Sequence, residues 1–113
     1  MMTRTIMPSA VETIIFACEA GMGSSLMSVN SLKKKFKKVN IYTVKVVHKP
    51  VREIPQNAQL VIVHKGLTGS ARKQAPGAVI LIFNHFFNDP VFDKLVDSFV
   101  TETAIEDMTG AES

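Results

Sequence analysis

The sequence predicts one α/β domain in which a parallel β-sheet is flanked by helices. Four short apolar runs have the length of strands, and helical patterns or helix-sized connections separate them. Such alternation is typical of a parallel sheet with helices on both faces and right-handed crossovers. The predicted strands cover residues 13–18, 41–47, 60–64 and 78–83.

The first predicted strand is apolar almost throughout, so we expect both of its faces to be buried. It ends at Cys18, and a loop with two glycines follows over residues 19–23. Ser24 or Ser25 is suited to cap the next helix, which we expect to end at Asn40. Apolar residues recur three or four apart along this helix, at Leu26, Val29, Leu32 and Phe36.

The second predicted strand has the pattern of a strand at the edge of the sheet. Thr43 and Lys45 make one of its faces partly polar. No helix is evident between this strand and the third one, and residues 48–59, which contain two prolines, are expected to form a connection.

Two further helices are predicted in the second half of the chain. The pattern over residues 67–74 is weak, and Pro76–Gly77 ends it. Residues 91–100 carry a clear apolar stripe that follows Asp89–Pro90. Proline suits the first helical turn, and Asn88 or Asp89 is able to cap it.

Composition indicates a soluble globular protein of one domain. The chain has 113 residues, of which 46% are apolar and 20% charged, and this is enough apolar content for one core. No apolar run approaches the ~20 residues of a membrane helix, and no signal peptide is evident, so we expect a cytoplasmic protein. We expect residues 12–102 to form the domain between flexible tails at 1–11 and 103–113.

A cluster of lysines on the first helix carries much of the net charge of +3. Such a cluster is able to bind nucleic acid, but no aromatic stacking pattern or nucleic-acid motif accompanies it. We therefore expect a solvated helix face and no nucleic-acid partner. The lysines are Lys33, Lys34, Lys35, Lys37 and Lys38.

The single cysteine, Cys18, is the most informative residue. It excludes an internal disulfide and a zinc site built on several cysteines. Ligands of open α/β sheets bind at the carboxyl ends of the strands, which is where Cys18 is expected. Gly21 and Gly23 let the backbone approach a ligand closely, and successive N–H groups with the following helix dipole favour an anion. Ser24 and Ser25 add hydroxyl donors.

A thiol in such a field ionises more easily than a free cysteine. The loop therefore predicts a nucleophile inside a phosphate cradle, and the natural chemistry is covalent phosphorylation of Cys18. The residues alone leave open a purely structural alternative, in which Cys18 is a small buried hydrophobic side chain and the glycines form an ordinary turn.

A low-molecular-weight tyrosine phosphatase is a second interpretation of the same parts. These enzymes have an Arg six positions after the Cys, and here that position is Ser24. The Arg matters because its bidentate fork stabilises the transferring phosphoryl group. Asp89–Pro90 superficially matches the general acid of these enzymes, but a helix start explains that pair more simply. The absence of Arg suits a protein that holds a phosphocysteine and passes it on.

Residues 17–25 (Ala-Cys-Glu-Ala-Gly-Met-Gly-Ser-Ser) resemble the active-site loop of mannitol-type Enzyme IIB domains of the sugar phosphotransferase system. Residues 60–68, which include His64-Lys65-Gly66-Leu67-Thr68, resemble a family segment that ends in Thr-His-Arg-Asp-Leu-Thr. Residues 74–76, the strand that follows and Asn84 form a third match. The resemblance runs in the same order from about residue 13 to residue 100.

The resemblance implies a four-stranded parallel sheet in the order 2-1-3-4, similar to the low-molecular-weight tyrosine phosphatase fold. It also implies that Cys18 takes a phosphoryl group from a phosphohistidine of Enzyme IIA. The group would pass to a sugar or sugar alcohol, such as a mannitol-like hexitol, during transport through membrane Enzyme IIC. The implied location is cytoplasmic and peripheral to that permease, and neither a metal nor an organic cofactor is implied. The implied phosphate-binding residues are Glu19, Ala20, Gly21, Met22, Gly23, Ser24 and Ser25.

Several positions depart from the family pattern or carry further expectations. Glu19 replaces an Asp, and Lys65–Gly66 replaces Arg-Asp, which keeps a positive charge but loses the planar fork. His64 matches a family His and is a candidate accessory residue, although we favour a structural role for it. Met22 at the loop tip is a candidate contact for Enzyme IIA, and a core residue under the loop is the equally open alternative.

Two other functions fit a domain of this kind. Domains similar to Enzyme IIB also occur in transcriptional regulators, where their phosphorylation acts as a signal. The sequence shows no DNA-binding segment, so that role would need a fused partner. A non-catalytic remnant is the other alternative, and the intact loop at Cys18 argues against it.

Overall fold

The protein structure, a computed structural model, describes residues 4–18, 23–85 and 89–109, with the backbone alone at 23–25. Three α-helices lie along the described chain: α1 (Gly23–Lys38), α2 (Thr68–Gln74) and α3 (Pro90–Thr101). The strands are β1 (Thr5–Ile6), β2 (Thr13–Cys18), β3 (Lys45–Pro50), β4 (Leu60–His64), β5 (Val79–Phe83) and β6 (Ile105–Glu106).

Four of these strands form one parallel sheet in the order β3-β2-β4-β5. In the numbering of the four predicted strands this is the order 2-1-3-4, so the predicted fold class is confirmed. The strands β1 and β6 form a separate antiparallel pair.

Both faces of the sheet are covered. Side chains alternate between the two faces along a strand, so residues i and i+2 share a face. The predicted burial of both faces of the first strand is therefore confirmed. On one face α1 and α3 enclose the larger core, which includes Ile14, Phe16, Leu32, Leu60 and Ile62. On the other face α2 covers a smaller core, which includes Ile15, Ala17, Val61, Val63 and Ala71.

The second strand lies at the edge of the sheet, as predicted, but the predicted bounds of 41–47 are wrong. Asn40 has a left-handed backbone (φ 59°), and the N–H of Ile41 still bonds to the carbonyl of Phe36. The chain is therefore still leaving α1 at residue 41, and pairing with β2 begins only at Lys45. The strand extends to Pro50, which an edge strand tolerates because no ladder hydrogen bond is lost on its open side.

The predicted apolar stripe of α1 is correct except at its start. Val29, Leu32 and Phe36 are buried, but Leu26 is 51% exposed and its neighbour Met27 is 57% exposed. The first turns of α1 lie at the carboxyl edge of the sheet, where the core ends, so these two side chains face solvent.

The third helix begins as predicted. The carboxylate of Asp89 accepts a hydrogen bond from the N–H of Val91 (3.0 Å) and caps α3, with Pro90 as the first helical residue. The same carboxylate accepts from the N–H groups of Asn84 (2.7 Å) and His85 (3.1 Å). Asp89 therefore joins the end of β5 to the start of α3.

The segment after α3 covers the outer edge of β5. The carboxylate of Asp107 accepts from the N–H of Ile80 (2.7 Å), and the N–H of Met108 donates to the carbonyl of Ile80 (2.9 Å). Arg72 of α2 donates to Asp107 (2.7 Å) and to the hydroxyl of Thr109 (2.6 Å). Asp107 is only 4% exposed, and these bonds compensate for its burial.

Both segments that the sequence predicts to be tails therefore contribute regular structure. Thr5 pairs with Glu106 and Ile6 with Ile105 in the β1–β6 ladder, and the side chain of Ile105 is buried. Two-residue strands carry too little apolar pattern to be seen in a sequence. The mobility of these segments stays a prediction.

We expect the substitution Asp107→Ala to lower the free energy of unfolding by about 2–4 kcal/mol, because it removes the carboxylate that pairs with Arg72 and leaves the buried N–H of Ile80 without its acceptor. Urea unfolding followed by circular dichroism measures the effect. The matched control is Asp97→Ala, which removes an exposed carboxylate from α3. Equal stability of the two variants would contradict the importance of this contact.

The same carboxylate makes stability depend on pH. Burial acts to raise the pKa of Asp107, but the N–H of Ile80, the hydroxyl of Thr109 and the charge of Arg72 outweigh it, and the pKa lies below 3.8. The unfolded chain therefore binds the proton more tightly, so the stabilisation is present above about pH 4 and is lost as the pH falls through the folded-state pKa. We expect urea titrations to show this acid-side loss in the parent and a smaller one in Asp107→Asn.

Candidate active site at Cys18

Cys18 is the last residue of β2, a strand inside the sheet with a parallel partner on each side. The chain leaves β2 through α1 towards β3 on one side, and it later returns to β4 on the other side. The carboxyl edge between β2 and β4 is therefore the point where the strand order reverses. Ligands of open α/β sheets bind at this point, and the structure places Cys18 there.

The side chain of Cys18 lies on the face covered by α1 and α3. It shares this face with Ile14 and Phe16, four and two residues earlier in β2, which belong to the core there. His48 of β3 is in register with Phe16, and residues in register in a sheet share a face. The two side chains meet at the carboxyl edge, where Cys18 Sγ and His48 Nε2 are 2.8 Å apart. Cys18 is 3% exposed and His48 is half-buried.

The sequence interpretation missed His48, which it assigned to the connection after the second strand. One signal was present, because His48 continues the alternation of Val44 and Val46. Its use depended on placing the strand end beyond residue 47 and on knowing the register between β2 and β3. A sequence without its partner strand does not specify that register.

His64 lies on the other side of Cys18, at the end of β4. The register pairs Ala17 with Val63, so the next residues, Cys18 and His64, lie at the same level of neighbouring strands. The Nδ1 atom of His64 accepts from the N–H of Gly66 (3.3 Å), and its ring meets Phe83 edge to face at 5.4 Å. These contacts support the structural role that we favour for His64. An accessory role for His64 or for the exposed Lys65 stays a prediction.

Part of the predicted phosphate loop lies outside the described residues. Nothing is described for Glu19, Ala20, Gly21 and Met22. The backbone of Gly23, Ser24 and Ser25 forms the first turn of α1. The helix therefore begins five residues after Cys18, at the carboxyl edge of the sheet.

Asp89 does not have the properties of the general acid that a phosphatase would need. Burial acts to raise the pKa of Asp89, but hydrogen bonds from the N–H groups of Val91, Asn84 and His85 outweigh it and hold the pKa below 3.8. A general acid must carry a proton near neutral pH, whereas this carboxylate is ionised and engaged as a helix cap. The geometry therefore favours the helix-start explanation of Asp89–Pro90.

The described residues offer no candidate metal centre and no membrane-spanning helix. No group of three or more His, Cys, Asp or Glu side chains there is arranged to hold a metal ion. None of the described helices has the length and apolar character needed to cross a membrane.

Comparison with known proteins identifies relatives of the chain. A family model described as "PTS system, Lactose/Cellobiose specific IIB subunit" matches residues 13–98. The chain is 44% identical over 90 residues to the "PTS system mannitol-specific EIICB component" of Staphylococcus saprophyticus, a match that covers 80% of this chain and 18% of that protein. The proteins of the same name from Staphylococcus haemolyticus (44% over 90 residues) and Staphylococcus carnosus (41% over 88 residues) cover 80% and 78% of this chain and 17% of each relative.

The chain thus spans about a fifth of the length of these curated relatives. The matched region begins with β2 and ends within α3, so it contains the whole parallel sheet and Cys18. The family model covers about three-quarters of the chain, and on this basis the chain belongs to the IIB subunit family of the phosphotransferase system.

Proposed function

We propose that the protein is a phosphoryl carrier that holds a phosphoryl group on Cys18. The observation that carries this proposal is the position of Cys18 at the strand-order reversal of the sheet, followed within five residues by the start of α1. A thiolate is the nucleophilic form of cysteine, and the free N–H groups of a helix start favour a negatively charged phosphoryl group. Family membership supports the same chemistry.

The phosphoryl donor in this proposal is a phosphohistidine of Enzyme IIA, and the acceptor is a sugar or sugar alcohol carried by membrane Enzyme IIC. The name EIICB of the relatives joins a IIC and a IIB component, which supports a IIC partner. Their names also say mannitol-specific, which supports a mannitol-like hexitol. A cytoplasmic location beside the permease belongs to the same proposal.

The phosphate-binding residues in this proposal are those of the loop and the first turn of α1. The backbone N–H groups of residues 19–25 would bind the phosphoryl oxygens, and the hydroxyls of Ser24 and Ser25 would add donors. The absence of an Arg at residue 24 and the engaged carboxylate of Asp89 favour a carrier over a phosphatase.

The donor needs a surface on which to dock, since in-line transfer requires its phosphohistidine to approach Sγ closely. Leu26 and Met27 are more than half exposed in the first turns of α1. Contiguous exposed apolar side chains mark interaction surfaces, and these two neighbours lie at the carboxyl edge of the sheet, as Cys18 does. We therefore assign donor docking to these two residues, with the predicted contact Met22 as a third member.

The carrier function predicts covalent phosphorylation at one residue. Incubation with phosphoenolpyruvate, Enzyme I, HPr and a mannitol-type IIA should add the mass of one phosphoryl group, as measured by intact mass spectrometry. Cys18→Ser should gain no stable phosphoryl group, because a hydroxyl at that position is a far weaker nucleophile than a thiolate. A panel of phosphorylated IIA proteins that all leave the parent unmodified would contradict the carrier function and favour the regulatory or the phosphatase alternative.

The docking assignment predicts a change in KM alone. The double substitution Leu26→Ala and Met27→Ala should raise the KM for phosphorylated IIA about 10-fold, equivalent to about 1.4 kcal/mol, and leave kcat close to that of the parent. Alanine preserves helix propensity. The control Val100→Ala removes an equally exposed apolar side chain from α3 and should change neither constant. A loss of kcat with unchanged KM would show that these residues act on the loop and not on the donor.

A further inference from the structure

The contact between Cys18 and His48 has a chemical consequence for the first transfer step. The two side chains come from neighbouring strands, β2 and β3, and Sγ and Nε2 are 2.8 Å apart. A base that shares a hydrogen bond with a nucleophile is the usual means of activating a thiol. Imidazole suits this role because it takes up and releases a proton near neutral pH.

We propose that His48 is the base that removes the thiol proton of Cys18 when the phosphoryl group arrives. The inference rests on the proposed carrier function and adds a second catalytic residue to it. His48 touches the reacting sulfur atom directly. In the neutral form that accepts the proton, His48 carries its own proton on Nδ1 and presents the lone pair of Nε2 to Sγ.

Phosphoryl transfer to Cys18 needs no reactant besides the phosphohistidine donor and the two side chains. The donor is a phosphohistidine protonated on its second ring nitrogen. Its N–P bond breaks, the electron pair stays on that nitrogen, and the donor leaves as a neutral histidine. Cys18 Sγ forms the S–P bond, and the thiol proton moves to His48 Nε2. The products are a phosphocysteine dianion and an imidazolium at His48.

The imidazolium is then well placed to stabilise the product. Its Nε2–H faces the sulfur that carries the phosphoryl group, and a charge-assisted hydrogen bond to a dianion is roughly twice as strong as a neutral one. His48 would thus supply the cation that the missing loop Arg supplies in a phosphatase. Since His48 is half-buried on the edge strand of the sheet, its proton is able to exchange with solvent.

The described surroundings of the pair contain few competing charges. On β4 the titratable neighbour is His64, whose Nδ1 already accepts from Gly66. Lys49 follows His48 on β3 and points to the opposite face by alternation. The first turns of α1, over residues 23–28, carry no charged residue, and Asp89 at the start of α3 is engaged as a cap. Glu19, next in the chain, lies outside the described residues.

The first test is a titration of the thiol itself, and it needs no donor. The chain has one cysteine, one tyrosine and no tryptophan, so the far-ultraviolet absorbance of the thiolate is measurable against a Cys18→Ser blank. In the parent the pH midpoint of thiolate formation should lie below the ~8.5 of free cysteine. The substitution His48→Gln should raise this midpoint by at least about one pH unit. Glutamine keeps an N–H donor at this position but accepts no proton.

The control is His85→Gln, an exposed histidine at the end of β5, two strands away from β2. It should leave the midpoint of the parent unchanged. His48→Asn is a second variant, which should shift the midpoint in the same direction as His48→Gln. Midpoints of His48→Gln and His48→Asn equal to that of the parent would overturn the inference.

The second test is the pH profile of phosphoryl transfer from phosphorylated IIA. At neutral pH His48→Gln should react about 10²-fold more slowly than the parent. The ratio between the two transfer rates should fall as the pH rises, because the thiol then loses its proton to solvent without His48. A purely structural role would lower the rate equally at every pH, and that outcome would overturn the inference.

The two tests separate this inference from the proposed function. If the parent accepts no phosphoryl group but its thiolate midpoint still depends on His48, the carrier function is contradicted and the proton-transfer pair of Cys18 and His48 is supported. If the parent is phosphorylated on Cys18 but the pH profile of transfer is unaffected by His48→Gln, the carrier function is supported and the role of His48 is contradicted.

Discussion

The strand β2 pairs with a parallel strand on each side, and the candidate site depends on this constraint. Parallel strands present their carboxyl ends at one edge of a sheet, so β2, β3 and β4 all end near one another. Side-chain alternation then decides which residues meet there. Cys18 shares a face with Phe16 through alternation along β2, and His48 shares that face because it is in register with Phe16. His64, on β4, lies beside Cys18. A shift of one residue in either register would turn one of these side chains to the opposite face.

The two edges of the sheet differ in a way that suits this site. On one edge the segment that follows α3 covers β5, through the carboxylate of Asp107 and its ion pair with Arg72. These contacts fix the part of the sheet that is far from Cys18. The other edge is β3, where the open side and the half-buried ring of His48 give the site access to solvent. The covered edge supports the architecture, and proton exchange is assigned to the open one.

The arrangement suits the proposed carrier better than a hydrolase. A hydrolase of similar fold needs a loop Arg and a protonated carboxylic acid, and here residue 24 is Ser and Asp89 is ionised as a helix cap. A carrier needs a nucleophile, donors for the phosphoryl oxygens and a way to hold the thiol proton. Cys18, the start of α1 and His48 are suited to these needs. In the proposed carrier the phosphocysteine passes its phosphoryl group on, so strong activation of water beside it would hydrolyse the intermediate before transfer.

The sequence by itself determined the fold class and the helix start at Asp89–Pro90, and it singled out Cys18 as the candidate site residue. The strand order was an implication of the family resemblance. The fold class, the helix start and the choice of Cys18 depend on local patterns, such as apolar runs, helical spacing and a Gly-rich loop, which are read within a few residues. Only the tertiary structure decided the true bounds of β3, the exposure of Leu26, the role of the segment around Asp107 and the meeting of Cys18 with His48. Each of these depends on contacts between residues far apart in the chain, 30 residues in the case of Cys18 and His48. Strand register and the end of a core are set by packing between elements, and a local pattern in one element does not contain them.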